Sequence, residues 1–542
     1  MEFSRPHLLR EATLEYLETL DPKNPPNPET IAETILTVTT EKCREVNATR
    51  SKGEAKWRLP VALEPVQIAD VIVTLYPVCN LVCAGEGNDD SNSILAIYQT
   101  SGENKGIYVT SEQAFLTIAR QYNYEITPKD FNTMLFFLRN IVPKKERNRD
   151  KDLIAVNNGI FNYATKTLQD FDPDIVFISK SHVDYNANAK NVTIHNDDDG
   201  TDWDVENWMK SLSDDPEIVN LLWEILSAII RPNVRWNKSA WLYSERGNNG
   251  KGTLCELMRE LCGKGAYTSI PISDFSKDFM LEPLIHASAV IVDENDVGEF
   301  IDKSASLKAV ITNDIIQINR KFRAPITYQF LGFMVQCVNE LPKTRDRSQS
   351  ILRRLLLVPM LKCFTGHERK YIKNDYLHRK DVLEYVMYRV LNSNFYELSE
   401  PQACTNLLSD YRIYNNPVED FWGAFKGKFT WNLLPYEFLY DLYKSYIKEV
   451  NPQSSIMGKN TFTRELRAVV MNDPDQKWLA ANTPRTRGDN MSCIEPLIMK
   501  YYLKSFYDDF DLAKDPNRDL SDEEKKKSYR GLVRNKSSLN NP

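Results

Sequence analysis

The stretch Ala240-Trp-Leu-Tyr-Ser-Glu-Arg-Gly-Asn-Asn-Gly-Lys-Gly-Thr253 constrains the fold more than any other part of the chain. An apolar run, Ala240 to Tyr243, enters a loop holding Gly247, Asn248, Asn249, Gly250 and Gly252, and a helix-patterned segment follows from Leu254. Strand, glycine loop and helix in that order make a phosphate cradle. Glycines let consecutive N–H groups converge, the helix N-terminus adds its positive end, and Lys251 reaches the outer phosphates. A chain built around such a loop is α/β, with the entering strand in a parallel sheet. Glu245 stands where the first glycine of the pattern is usual, and Gly252 where a Mg²⁺-binding hydroxyl is usual, so Thr253 is the nearest candidate for that ligand.

Downstream, a short apolar run to Val292 ends in Asp293 and Glu294, as a buried parallel strand does at a ligand site. Asp293 is expected to hold Mg²⁺ and Glu294 to polarise the attacking water. A further run from Phe330 ends at Asn339, which either holds that water or caps the following turn. Arg353 and Arg354 come directly before the next run, and in this order they read as an arginine finger for a neighbouring subunit's nucleotide. Between acid pair and amide lies a hairpin pattern whose tip carries Arg320, Lys321, Phe322 and Arg323: cations for phosphates and a ring for a base.

This order of motifs resembles the superfamily 3 replicative helicases, in particular the phage, poxvirus and mobile-element primase-helicase ATPases. The segment from Leu153 through Asn157, Asn158 and Gly159 to Leu168 is similar to one such proteins carry upstream of the ATPase. His182-Val-Asp-Tyr185-Asn186 is similar to the element after it, and Leu307 to Asp314 resembles the stretch before the family's hairpin, with Asn313 in place of glycine. Over about residues 150–500 the build looks like the MCM-like helicases of staphylococcal chromosome cassettes and pathogenicity islands. The resemblance implies an AAA+ P-loop core using ATP and Mg²⁺, and a homo-oligomer, a hexamer, around DNA. It implies Lys251 and Thr253 for phosphate and metal, Asp293 and Glu294 for metal and water, and Asn339 as sensor. Lys321 is then the leading hairpin contact, and Arg354 comes ahead of Arg353 as finger.

Five regions are expected: an α+β N-terminal accessory domain (1–145), a helical linker domain (150–235), the ATPase (236–400), a winged-helix DNA-binding domain (420–505) and a polar, frayed tail (506–542). The first should hold helices near 10–20, 28–46, 111–122 and 127–139, with strands near 93–100 and 106–109. Asp89 and Asp90 sit in a loop-like stretch, short of an acidic triad on strands, so no primase site is expected. The charge run 144–151 reads as a solvated linker, and 203–231 as one amphipathic helix stopped by Pro232. In the fourth region 458–470 reads as a recognition helix capped by Asn460 or Thr461, with a wing made of 477–481 and 491–496. Lys459, Arg464, Arg467, Arg485 and Arg487 are the expected phosphate contacts.

A net charge of −7 argues against a general nucleic-acid coat, though not against DNA held by a local basic lining. The absence of a run of about eighteen apolar residues, and of a signal-peptide start, points to a cytoplasmic chain with no membrane partner. The nine cysteines are scattered, with Cys79 and Cys83 close together but no second pair at zinc spacing, so no zinc is expected. The function these features imply is an ATP-dependent hexameric DNA helicase that initiates replication of a mobile element or phage. The alternative is an ATP-switched origin-binding initiator without processive unwinding.

Overall fold

A computed structural model describes the chain except residues 1–3, 23, 83–92, 299, 302–303, 322, 345–348, 451–455, 510–513, 516–519 and 536–542. The calls on Asp89, Asp90 and Phe322 therefore lie outside the described residues. The chain divides into two compact units, Met1–Leu408 and Ser409–Pro542.

The first unit opens with helices whose starts follow their capping residues. Asn27 accepts from the Thr30 amide at 2.8 Å ahead of Pro28–Thr49, and Thr127 accepts from the Asp130 amide ahead of Pro128–Ile141. With Arg5–Leu17, Pro65–Leu75 and Glu112–Tyr122 they close over a core that includes Ile31, Ile72, Phe115 and Met134. Beside them lies a four-stranded sheet in the order Tyr108–Val109, Ser93–Tyr98, Val78–Val82, Lys144–Glu146. The expected solvated linker is thus corrected: it begins as an edge strand parallel to Val78–Val82, with Lys145 ion-paired to Asp174 at 2.8 Å.

The region expected as a helical linker domain also differs. It starts with a three-stranded sheet (Leu153–Val156, Gly159–Asn162, Thr167–Gln169) and a short hairpin, Ile194–Asn196 with Thr201–Trp203. The single amphipathic helix is two, Val205–Ser211 and Pro216–Ile230, because Asp215 caps a fresh start by accepting from the Glu217 amide at 2.9 Å. The second of these is buried along its whole last half, since it packs between two other helices rather than facing water on one side. Ile154, Phe161 and Trp203 share one continuous core with Leu242, Leu254 and Val335, so this region and the central sheet are a single packed body.

That central sheet is parallel, five-stranded and built from β1 (Ser239–Tyr243), β2 (Tyr267–Thr268), β3 (Ala289–Val292), β6 (Phe333–Val338) and β7 (Leu355–Pro359), in the order β2-β3-β6-β1-β7. Between β3 and β6 stands an antiparallel hairpin, β4 (Ile315–Arg320) with β5 (Arg323–Gln329). Helix α1 (Lys251–Cys262) follows β1. Sheet strands that are buried on both faces need continuous apolar runs, which is why β1, β3, β6 and β7 were readable.

In the second unit, α2 (Pro417–Phe425), α3 (Tyr436–Val450) and α4 (Lys459–Met471) enclose an aromatic core with Phe421, Phe438, Tyr443 and Phe462. Its three-stranded sheet runs β8 (Leu433–Pro435), β12 (Gly531–Arg534), β9 (Trp478–Ala480), and β10 (Arg485–Thr486) pairs with β11 (Ser528–Tyr529). Two expectations are corrected here. The polar tail supplies the middle strand, with Leu532 fully buried, and the partner of β9 is this strand rather than 491–496, which holds a turn and the start of helix Pro496–Lys500. Helix α4 is preceded by Gly458 with no side-chain cap, so neither Asn460 nor Thr461 takes that role.

Candidate nucleotide site

The loop after β1 is shaped by its own side chains. Asn249 is buried, donates to the Arg246 carbonyl at 2.5 Å and accepts from the Lys251 amide at 3.2 Å. Asn248 (φ 53°) and Gly250 (φ 83°) both take the left-handed conformation that turns the chain into α1. A Cβ on Gly250 would also stand 2.7 Å from Leu212, so the glycine answers a second demand. Asn248 donates to Glu368 at 3.0 Å, and its carbonyl accepts from the Phe364 amide at 2.7 Å, which fastens the segment after β7 over the loop. Gly247 has open space around it.

Lys251 opens α1 and is buried, and loss of hydration holds its pKa below the usual lysine value. Its ammonium donates to Asn339 Oδ1 at 2.7 Å and to the Val338 carbonyl at 3.1 Å, so the lysine and the amide at the end of β6 are already in contact. Asp293 lies half-buried at the end of β3, with Oδ2 at 3.8 Å from Arg259 Nη1 of α1. A Cβ on Gly252 would come within 3.1 Å of the Asp293 carboxylate, so a residue without a side chain is what lets α1 approach the acid this closely. Glu294, next along, is exposed. Thr253 lines a cavity of about 640 Å³ with Trp208, Leu212, Phe364 and Ile372, whereas it is Gly252 that faces Asp293.

Arg353 and Arg354 diverge as well. Arg353 is exposed, while Arg354 turns back to donate to the Ser350 carbonyl and leaves its Nε buried without a partner. At the hairpin, Arg320 donates to the Ala324 carbonyl at 2.8 Å and Arg323 pairs with Glu112 at 3.0 Å, whereas Lys321 is exposed. Arg320 and Arg323, both expected DNA cations, are thus engaged by protein. The hairpin base is clamped from the former linker run: Arg147 donates to the Tyr328 hydroxyl at 2.7 Å and the Gln329 carbonyl at 2.8 Å.

In the second unit, Lys459, Arg464 and Arg467 line a groove of about 630 Å³ together with Tyr436 and Arg530, a cation that sequence reasoning missed. Arg485 is exposed on β10. Arg487 is 1% exposed, which corrects its place among surface phosphate contacts. Also missed were Arg259 and Asn295. Asn295 is buried and donates to Gln336 and to the Cys337 carbonyl, both at 3.0 Å, so it ties the loop after Asp293 to β6. No local spacing signals such cross-strand posts.

Comparison with known families adds to this geometry. Residues 117–215 match the D5 N terminal like model and residues 414–501 the Poxvirus D5 protein-like model. Those two stretches of the chain are D5-like. The stretch between those matches, 242–354, matches a family of unknown function (DUF5906), and it spans the loop after β1, both carboxylates, the hairpin and both arginines. Solved apo structures of the NrS-1 C-terminal region are similar to this chain at a distance. One has 12% identity, covers 78% of this chain and 96% of that one, and has a TM-score of 0.42. Another has 13% identity, covers 75% and 86%, and has a TM-score of 0.39. A likeness this loose carries no argument. No curated protein matches. No helix among the described residues is long and apolar enough to cross a membrane.

Proposed function

We propose that this D5-like protein is an ATP-dependent DNA helicase of AAA+ type that works as a hexamer and starts replication of a mobile element or phage. The observation that carries the reading is the Lys251 ammonium resting 2.7 Å from Asn339, at the mouth of a glycine loop and one strand away from the Asp293–Glu294 pair. With ATP in place, the γ-phosphate draws Lys251 off the strand ends and releases the Asn339 amide to orient water, which the exposed Glu294 polarises for in-line attack. Mg²⁺ fits the half-exposed Asp293 carboxylate, and when bound it neutralises charge on the β- and γ-phosphates. The cavity beside the loop, where Trp208, Leu212, Phe364 and Ile372 stand among polar neighbours, suits the base. Arg353, exposed just before β7, is the better finger toward a neighbouring subunit. The second unit is read as a winged-helix module that meets DNA phosphates through Lys459, Arg464, Arg467, Arg485 and Arg530.

The ATP-switched initiator has one observation in its favour: Arg320 and Arg323 are engaged by protein, which leaves the hairpin fewer cations for a travelling strand. Strand displacement on forked DNA with ATP separates the two. The helicase reading expects displacement that needs hydrolysis, and the initiator reading expects ATP-dependent DNA binding with none.

A further inference from the structure

Directly behind the phosphate loop, two thiols meet. Cys255 on α1 and Cys337 on β6 are both buried, and their sulfurs lie 3.3 Å apart. The Asp293 carboxylate completes a group whose ligand atoms all lie within 4.8 Å of one another. We propose that Cys255, Cys337 and Asp293 form a binding site for a thiophilic divalent cation such as Zn²⁺ or Cd²⁺, and that filling it shuts off the nucleotide site by taking Asp293.

Distances decide between this and the other chemistry open to two close thiols. Sulfurs on one tetrahedral zinc stand about 3.8 Å apart, given Zn–S bonds of about 2.3 Å. The pair need only part by about half an ångström, within reach of small side-chain rotations. A disulfide needs an S–S length of about 2.05 Å, so the same pair would have to close by more than 1 Å between a helix and a strand packed in the core. Charge favours the metal too. Two thiolates, a carboxylate and a dication leave one negative charge, and Arg259 at 3.8 Å from Asp293 and the Lys251 ammonium stand ready to balance it. Entry is past Asp293, whose side chain is 34% exposed, while both sulfurs lie behind it; water takes the fourth position, as in open three-ligand sites. Mg²⁺ does not compete for the thiolates, since it prefers oxygen ligands. Binding releases the thiol protons, one per sulfur, to solvent.

The inhibitory consequence rests on the reading of Asp293 as the Mg²⁺ ligand; metal binding itself does not. The test uses the full chain with Cys83 and the exposed thiols among the described residues, Cys363 and Cys493, replaced by alanine, titrated with Cd²⁺ and followed by thiolate-to-metal charge-transfer absorption. One Cd²⁺ per chain is expected, removable by chelator and accompanied by a rise in melting temperature. Cys255→Ala and Cys337→Ala should each lose at least about tenfold in affinity while melting as the parent does without metal. The carboxylate and imidazole group of Glu256, Glu260 and His378 carries no thiolate and is silent in this readout. An absent band, or one that survives both substitutions, overturns the site. ATP hydrolysis that stops as the band fills, recovers with chelator and is metal-resistant in Cys255→Ala supports the regulatory claim. Undiminished hydrolysis at full occupancy overturns that claim, and a chain with no hydrolysis at all, band present, instead sinks the functional reading above.

Discussion

Lys251 sits in a position that makes its substitution readable. It is buried, and its partners are two carbonyls and an amide, so removing it leaves no unpaired buried charge. Lys251→Ala should fold, with ATP hydrolysis falling by at least about a hundredfold. Glu294 is exposed and has no such structural ties, so Glu294→Gln should melt like the parent, bind ATP and turn over slowly, as trapped nucleotide on a filter would reveal. The two arginines make a sharper case. Arg353→Ala should lower hydrolysis by about 10³-fold or more if it is the finger, while Arg354→Ala should mainly lower the melting temperature, because Arg354 serves the Ser350 carbonyl. The opposite pattern would return the finger to Arg354. That adjacent arginines differ this way is invisible in sequence, since it depends on how the last turn of helix Gln349–Leu352 hands the chain to β7. The phosphate loop was legible because its glycines, lysine and flanking strand and helix are all local. The close approach of Gly252 to Asp293, and the meeting of Cys255 with Cys337, were not legible, because they come from packing α1 on β3 and β6.

At the scale of elements, short strands that pair across long stretches of chain escaped periodicity. Strand β12 lies in a polar tail, yet it places the fully buried Leu532 between β8 and β9. Leu532→Ala should cost about 2–5 kcal/mol, and denaturant melts of the second unit would measure it. A loss near zero would mean that the tail is dispensable. Glu495 gives this unit a pH response. Burial pushes its carboxyl above the ordinary glutamate value of 4.5, against hydrogen bonds from the Thr430 and Trp431 amides that work the other way. Its Oε1 is buried without a partner. The native state then holds the proton to higher pH than the unfolded chain does, so this group's contribution to stability falls as pH rises above about 4.5 and levels off above the raised native pKa. Glu495→Gln should therefore flatten the pH dependence of the unit's melting temperature across that window; an unchanged slope would rule Glu495 out as its source. The charge run 144–151 was misjudged for a different reason. Its alternation is masked by its charges, yet Lys145 finds Asp174 and Arg147 finds the hairpin base.

For the whole molecule, the proposed ring makes hydrolysis a property of two chains. Arg353→Ala mixed with Lys251→Ala protein should recover part of the activity that each lacks alone, because some interfaces then pair an intact loop with an intact arginine. No recovery in assemblies shown to exchange subunits would argue against a shared site. The central claim is that ATP bound at Lys251 drives strand separation, and a forked-duplex displacement assay run side by side on the parent and Lys251→Ala tests it most directly. The account predicts ATP-dependent displacement by the parent and none by Lys251→Ala, with both retaining affinity for the fork. Displacement by Lys251→Ala at the parent's rate, or none by a parent that hydrolyses ATP on the same DNA, would contradict it.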